Sequence, residues 1–335
     1  METMKKTFTV TFHYFKNYGA FLQSYALQKI LGKENYILDF KQSFGHFIDK
    51  TKPLWFLRAI KWYFASFKYT IPHLKEYHKL KVSKKHCDGY AYIVGSDQVW
   101  NYKFIKGQEH RYFLQFIPKN AKRISYAASL GTSEWPSEFE HKVLPWLRKF
   151  HAISVREENS AEYLRSFGLN AVCVCDPTVL HKADFYRKEF SACREISNAY
   201  SFIYRIRENI PMILKCKTIT VNLQEQKTIV SASDWLSLID NAEFVLTDSF
   251  HCIVFCLLFH KPFAVFQNNG ELKGMNSRFS TILGKTNLEY RLLQGAETEE
   301  QILEIINREI DWRRIDEILE EWRSYSKNWL MEAIK

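Results

Sequence analysis

Glycine is scarce, at 12 of 335 residues, well under the ~7% of an average protein. Gly-rich phosphate loops therefore have little material. Neither G-x-G-x-x-G nor G-x-x-x-x-G-K-[ST] occurs, which sets aside the glycine fingerprints of dinucleotide binding and of P-loop enzymes. The seven cysteines are an odd number and contain no C-x-x-C. An odd count cannot complete a disulfide framework and fits a reducing compartment. Cys173, Cys175, Cys252 and Cys256 invite a metal reading but read better as small buried hydrophobes, and no metal or cofactor is expected. No uncharged stretch approaches the ~20 residues of a membrane span. The opening residues, Met1 to Val10, lack the apolar run of a signal peptide. The expected location is cytoplasmic.

At ~100–200 residues per domain the length predicts two domains, and 46% apolar residues supply an ordinary core. The net charge of +10 is concentrated. Residues 41–86 hold eleven lysines and arginines against Asp49 and Glu76, nine of the ten excess charges. Clustering of this kind points to an anionic surface or polyanion rather than to general solubility.

Thr7–Phe12 reads as a strand, the run from Gly19 to Leu31 has helical spacing, and Tyr36–Phe40 reads as a second strand, so the chain opens on a βαβ unit and a parallel sheet. Further strands are expected at 90–94, 123–128, 152–155 and 171–175, with helices at 137–149 and 160–167 between the later ones. A boundary follows Asp176-Pro177-Thr178. Beyond it, strands are expected at 202–204, 218–221, 243–247 and 262–266, and helices at 234–239, 251–259, 277–283, 299–306 and 315–333. The stretch 181–230 is short for the start of a second domain. The alternation predicts doubly wound α/β domains.

Ligands of parallel α/β sheets sit at the carboxyl ends of strands. Four polar groups are expected there, at strand-to-helix junctions: Asn17-Tyr18-Gly19, Gly95-Ser96-Asp97, Arg156-Glu157 and Asp248-Ser249-Phe250-His251. Each has a plainer reading. Gly19 eases a turn; Asp97, Asp248 or Ser249 caps a helix; Arg156 pairs with Glu157 or Glu158 at the surface; His251 only begins a helix.

Read in order, Asn17-Tyr18-Gly19-Ala20-x-Leu22-Gln23-x-x-Ala26-Leu27, Gly95-Ser96-Asp97-Gln98-Val99-Trp100, Ser125-Tyr126-Ala127-Ala128-Ser129-Leu130-Gly131, Ser154-Val155-Arg156-Glu157, Asp176-Pro177-Thr178 and Thr247-Asp248-Ser249-Phe250-His251 resemble the polysaccharide pyruvyl transferase family, over most of the chain. The resemblance implies a GT-B-like fold. In it, two Rossmann-like domains (1–178 and 179–312) face a cleft, and a C-terminal helix (313–335) crosses back to the first. It also implies transfer from phosphoenolpyruvate to two hydroxyls of a sugar in a surface or capsular glycan precursor, giving a pyruvate ketal and phosphate. On that resemblance His251 is the general acid/base. Arg156 and Arg278 hold the anionic donor, as suits guanidinium groups, and Asn17, Asp97 and Ser249 line the substrate side. Cys252 stands where the family commonly has glycine.

Two other functions fit the residues: a GT-B glycosyltransferase using a nucleotide sugar, since fold alone does not decide function, and a non-catalytic polyanion-binding protein. No recognised nucleic-acid motif accompanies the basic segment, so nucleic acid is not an expected partner. Within that segment, 53–69 alternates tryptophan and phenylalanine with Arg58, Lys61 and Lys68 on one helical stripe. This is the pattern of a helix lying in a membrane interface, where a lipid-linked acceptor would be presented; the alternative is a helix packed on the first domain.

Overall fold

A computed structural model describes residues 5–13, 17–40, 76–83, 88–191, 198–206, 217–223, 230–268 and 276–335. The basic aromatic segment 53–69 lies outside the described residues.

The first half builds a seven-stranded parallel sheet from β1 (Thr7–Val10), β2 (Asn35–Leu38), β3 (Val82–Ser83), β4 (Ala91–Val94), β5 (Lys122–Ala128), β6 (Ala152–Val155) and β7 (Ala171–Cys173), in the order β3-β2-β1-β4-β5-β6-β7. β1 and β4 are buried throughout, because a parallel sheet is covered on both faces. The covering helices are α1 (Tyr18–Leu31), α2 (Glu109–Tyr112), α3 (Ser137–Leu147) and α4 (Glu158–Ser166). α1 begins where the Asn17 side chain accepts from the amides of Gly19 and Ala20, and it stops at Gly32, whose φ of 84° suits glycine. Strand order reverses between β1 and β4, which makes their carboxyl ends a switch point.

The second half repeats the plan on a smaller scale. After α5 (Ala183–Glu189), strands β8 (Ser201–Arg205), β9 (Thr218–Asn222), β10 (Val245–Thr247), β11 (Phe263–Phe266) and β12 (Leu292–Leu293) form a five-stranded parallel sheet in the order β12-β11-β10-β8-β9. Helices α6 (Ala232–Asp240), α7 (Phe250–Leu258), α8 (Ser277–Thr286) and α9 (Glu299–Asn307) accompany it. Its order reverses between β8 and β10. Among the described residues the second sheet is also doubly wound, with two strands fewer than the first.

One apolar cluster joins the halves: Tyr18, Phe21 and Tyr25 of α1 share it with Tyr204, Trp235 and Phe255. Tyr18 stacks on Trp235 at 5.0 Å and its hydroxyl donates to the Val230 carbonyl at 3.0 Å. Such an aromatic pair adds about 0.5–1.5 kcal/mol beyond burial. Glu76, also buried, accepts from the first amides of α6, Ala232 and Ser233, both at 3.0 Å. The final helix, α10 (Trp312–Ile334), returns to the first half. Ser326 accepts from the Cys175 amide at 2.9 Å, Arg323 donates to the Val179 carbonyl at 2.7 Å, and Trp329 packs by Tyr126 of β5. Two parallel sheets facing one another, with a terminal helix crossing back, give the expected GT-B-like architecture.

Candidate active site

The two switch points meet. At the first, Thr11, just past β1, donates to the Ser96 carbonyl just past β4 at 2.9 Å. At the second, the Asp248 carboxylate, just past β10, accepts from the Ile206 amide just past β8 at 2.8 Å. Three of the four expected groups stand at strand-to-helix junctions. Gly95-Ser96-Asp97 does not, because turns, not a helix, follow it up to α2.

Arg156 leaves the end of β6 and is 1% exposed. Its backbone amide is held by the Ala128 carbonyl at 3.2 Å, where β5 carries an irregularity and Ala127 has φ 53°. Irregular strand ends of this kind re-aim the neighbouring side chain. Arg156 Nε donates to Glu157 at 3.2 Å and Nη1 to Asp176 at 3.0 Å, and the guanidinium lies 4.2 Å from the ring centre of Phe250 in the other half. The surface pairing considered for Arg156 is therefore corrected: Glu157 is its partner, but the pair is buried. Two of its nitrogens are committed to carboxylates, and Nη2 has no hydrogen-bond partner among the described residues.

His251 stands in the first turn of α7, 5% exposed. Its Nε2 is enclosed and lies 3.5 Å from Asp176 Oδ2, in ion-pair range but long for a hydrogen bond. The other side of the ring rests on Gly19. A Cβ there would stand 1.9 Å from Nδ1 and 2.2 Å from Cγ, so only glycine admits the ring. This close approach, not a turn, explains the glycine.

Asp176 lies in the short connection after β7 and joins these parts. Its Oδ2 accepts from Arg156 and from the Ser96 hydroxyl at 2.8 Å and lies in ion-pair range of His251; its Oδ1 accepts from the Thr178 amide at 2.9 Å and the Thr178 hydroxyl at 2.6 Å. Burial pushes the carboxyl up, but His251, Arg156 and Thr178 outweigh burial and hold it well below the usual carboxylate range. Arg156 shows the converse: burial works against its charge, and Glu157, Asp176 and Asp97 restore it and raise its pKa.

The remaining expected residues divide. Asn17 is the cap of α1, beside the glycine that cradles His251. Ser249 caps α7 by accepting from the Cys252 amide at 3.4 Å. Asp97 caps no helix: it sits at φ 70°, its side chain accepts from the Gln98 amide at 2.9 Å, and its carbonyl accepts from Val99 and Ser129. With Ser249 as the cap of α7, Asp248 serves the end of β8 by accepting from the Ile206 amide. Arg278 is buried in the first turn of α8. Three residues on, and so on the same face, Thr281 accepts from the Glu158 amide at the start of α4, at 3.4 Å. The turn of α8 that follows Arg278 thus packs on the start of α4. Sequence reasoning singled out Asp176-Pro177-Thr178 but gave it no role, and within Gly95-Ser96-Asp97 it assigned Asp97, not Ser96, to the site.

Burial raises the thiols of Cys173, Cys175 and Cys256, that of Cys175 to about 12, so they are protonated and inert at neutral pH. A cavity of about 280 Å³ opens at the other end of α7, among Lys182, Arg187, His260, Asp316 and Arg323. Lys182 and Arg323 there pair with Glu320, and Arg187 pairs with Asp240.

At the meeting of the two switch points one buried carboxylate, Asp176, faces a guanidinium from the first half and an imidazole from the second. The family described as polysaccharide pyruvyl transferase matches residues 17–270, and the chain belongs to that family; it is a transferase. No curated protein matches the sequence. Among solved structures, the chain is similar to MnaA of S. aureus with UDP (14% identity, 95% of this chain and 91% of that one, TM-score 0.49). It is also similar to the UDP-GlcNAc 2-epimerase of Neisseria meningitidis (13%, 98% and 99%, 0.48) and to Os79 of O. sativa with UDP (9%, 98% and 95%, 0.42). Among the described residues no helix is long and apolar enough to cross a membrane.

Proposed function

We propose that the protein transfers the enolpyruvyl group of phosphoenolpyruvate to two hydroxyls of a sugar in a glycan precursor. The observation that carries this reading is the meeting of Arg156 from one half and His251 from the other on Asp176, at the ends of the strands, in a chain of this family. A proton added to the enol methylene leaves an oxocarbenium-like carbon. The first sugar hydroxyl attacks that carbon and loses its proton; the second displaces phosphate, which departs with the proton that balances the sum. His251 supplies and recovers protons. The donor is a trianion when fully ionised, and the Nη2 of Arg156 with Arg278 provides its cationic contacts. Asn17 lies on the acceptor side, with Asp97 and Ser249 fixing the strand ends that frame the site. The acceptor is lipid-linked and met at an anionic membrane face, a role supported by the basic aromatic sequence of 53–69.

The deciding assay is phosphate release from phosphoenolpyruvate with glycan acceptors, followed by detection of the ketal. Consumption of a nucleotide sugar with no use of phosphoenolpyruvate would overturn the reading.

A further inference from the structure

Asp176 touches both Arg156 of the first half and His251 of the second, and its hydrogen bonds fix which way it works. Oδ1 faces the Thr178 backbone N–H at 2.9 Å, a group that can only donate. Oδ2 faces Arg156 Nη1 at 3.0 Å, which also can only donate. Both oxygens must therefore be acceptors. The ring nitrogen of His251 turned toward Oδ2 is Nε2, at 3.5 Å, and an acceptor there favours a proton on that nitrogen. The hydrogen bond made by one ring nitrogen sets the state of the other.

We propose that Asp176 is the positioning residue of this site: it fixes His251 in the tautomer with the proton on Nε2, so that Nδ1, on the Gly19 side, is the nitrogen that exchanges protons with substrate, and it ties Arg156 to the same oxygen. The proton-exchange half rests on the reading of His251 given above; the tautomer does not. Contacts of this type are often long without substrate and tighten when it binds. The depressed carboxyl of Asp176 agrees with an unprotonated acceptor.

Asp176→Asn makes the test sharp. The Thr178 N–H is fixed backbone, whereas the Arg156 guanidinium can swing Nη1 toward Glu157, whose Oε2 has no partner among the described residues; the amide oxygen therefore stays at Oδ1, the NH₂ takes the place of Oδ2, and Arg156 withdraws from it. A donor then faces Nε2, which must become an acceptor, and the proton moves to Nδ1. The probe is the ring ¹⁵N NMR spectrum of protein labelled in histidine, recorded where the ring is neutral, with His251 identified by the signals lost in His251→Asn. The expected result is protonated Nε2 in the wild type and protonated Nδ1 in Asp176→Asn. A wild-type ring protonated at Nδ1 overturns the proposal, and so does an unchanged tautomer in the variant. The wild-type spectrum decides alone if the variant does not fold. Thr178→Val, which keeps the backbone donor and the charge, should leave the tautomer as it is; inversion there also counts against the proposal.

In phosphate release, Asp176→Asn should lose about 10²-fold or more in kcat and raise KM through Arg156; in a His251→Ala background the kcat loss should vanish while the rise in KM remains. Equal kcat losses in both backgrounds would make Asp176 merely structural. If the tautomer inverts as expected while no form uses phosphoenolpyruvate, the proposed function fails and the role of Asp176 in orienting the ring stands.

Discussion

Gly19→Ala isolates the contact that seats His251. The position is helical, and its φ is not in the left-handed region, so alanine is conformationally welcome and gains about 1 kcal/mol in an α-helix. Against that stands the imidazole. The new methyl would lie 1.9 Å from Nδ1, 2.2 Å from Cγ and 2.7 Å from Cε1. Because Cγ is the root of the ring, turning the ring about its own bond does not clear the clash. Ordinary contact requires the ring to retreat by about 1.6 Å or more. Misplacing a reacting group by ~1 Å costs ~10²-fold, and deleting an acid/base costs ~10²–10⁴-fold. Gly19→Ala should therefore lose at least about 10²-fold in phosphate release, close to the loss of His251→Ala. Overpacking costs about 1–3 kcal/mol, which outweighs the helical gain and lowers the melting temperature. In a His251→Ala background the clashing atoms are gone and the sign reverses, with Gly19→Ala stabilising by up to about 1 kcal/mol. Thermal unfolding of the four proteins reads this cycle without any substrate. A Gly19→Ala single variant that melts higher than wild type and keeps activity within threefold would refute the reasoning.

Arg156→Lys and Arg278→Lys should each weaken phosphoenolpyruvate binding by about 10–100-fold, since lysine lacks the planar fork and a charge-assisted hydrogen bond is worth ~1.5–3 kcal/mol; titration with the donor or an inert analogue checks this, and unchanged affinity in both would put the donor elsewhere. Arg156→Lys should also unfold more easily, because one ammonium cannot hold Glu157 and Asp176 together. The carboxyl of Asp176 holds its proton less tightly folded than unfolded, so its contribution to stability is full above pH of about 5 and is lost as pH falls through ~3.9 and below. Urea midpoints should accordingly drop between about pH 5 and pH 2.5, less steeply in Asp176→Asn, and equal slopes would contradict the assignment. Co-sedimentation with anionic vesicles should occur at low salt, fade at high salt and be lost when Trp55, Phe56 and Trp62 become serine; wild-type protein left in the supernatant at low salt removes the membrane role.

The βαβ opening and most strands were legible because parallel strands buried on both faces show as short apolar runs, as in Ala91–Val94 and Phe263–Phe266. The strand-end rule found Arg156 and His251 from local sequence alone. Arg278 entered only through the family resemblance, since a lone arginine early in a helix carries no signal of its own. The role of Asp176 was out of reach. Its partners lie 20 positions away at Arg156 and 80 at Ser96, and no periodicity links them. Asp97 and Ser249 illustrate a different limit. Short polar residues at strand ends serve the backbone and a ligand with the same atoms, and only coordinates tell which backbone group is served. Gly19 looked like a turn residue because the ring it accommodates comes from the other half of the chain.

The stitch between Cys175 and Ser326 has a consequence for the order in which the chain is made. The amide of Cys175 sits in the connection that carries Asp176, and its partner arrives 151 residues later. At ~5–20 residues per second the ribosome needs roughly 8–30 s to deliver it. Through that interval the first sheet can assemble, but the connection beneath the site has its Cys175 donor unanswered, and the Val179 carbonyl lacks the donor that Arg323 supplies. The nascent protein thus holds its two halves without the last element that sets their junction, and the site forms late, when the second half and its returning helix have been made.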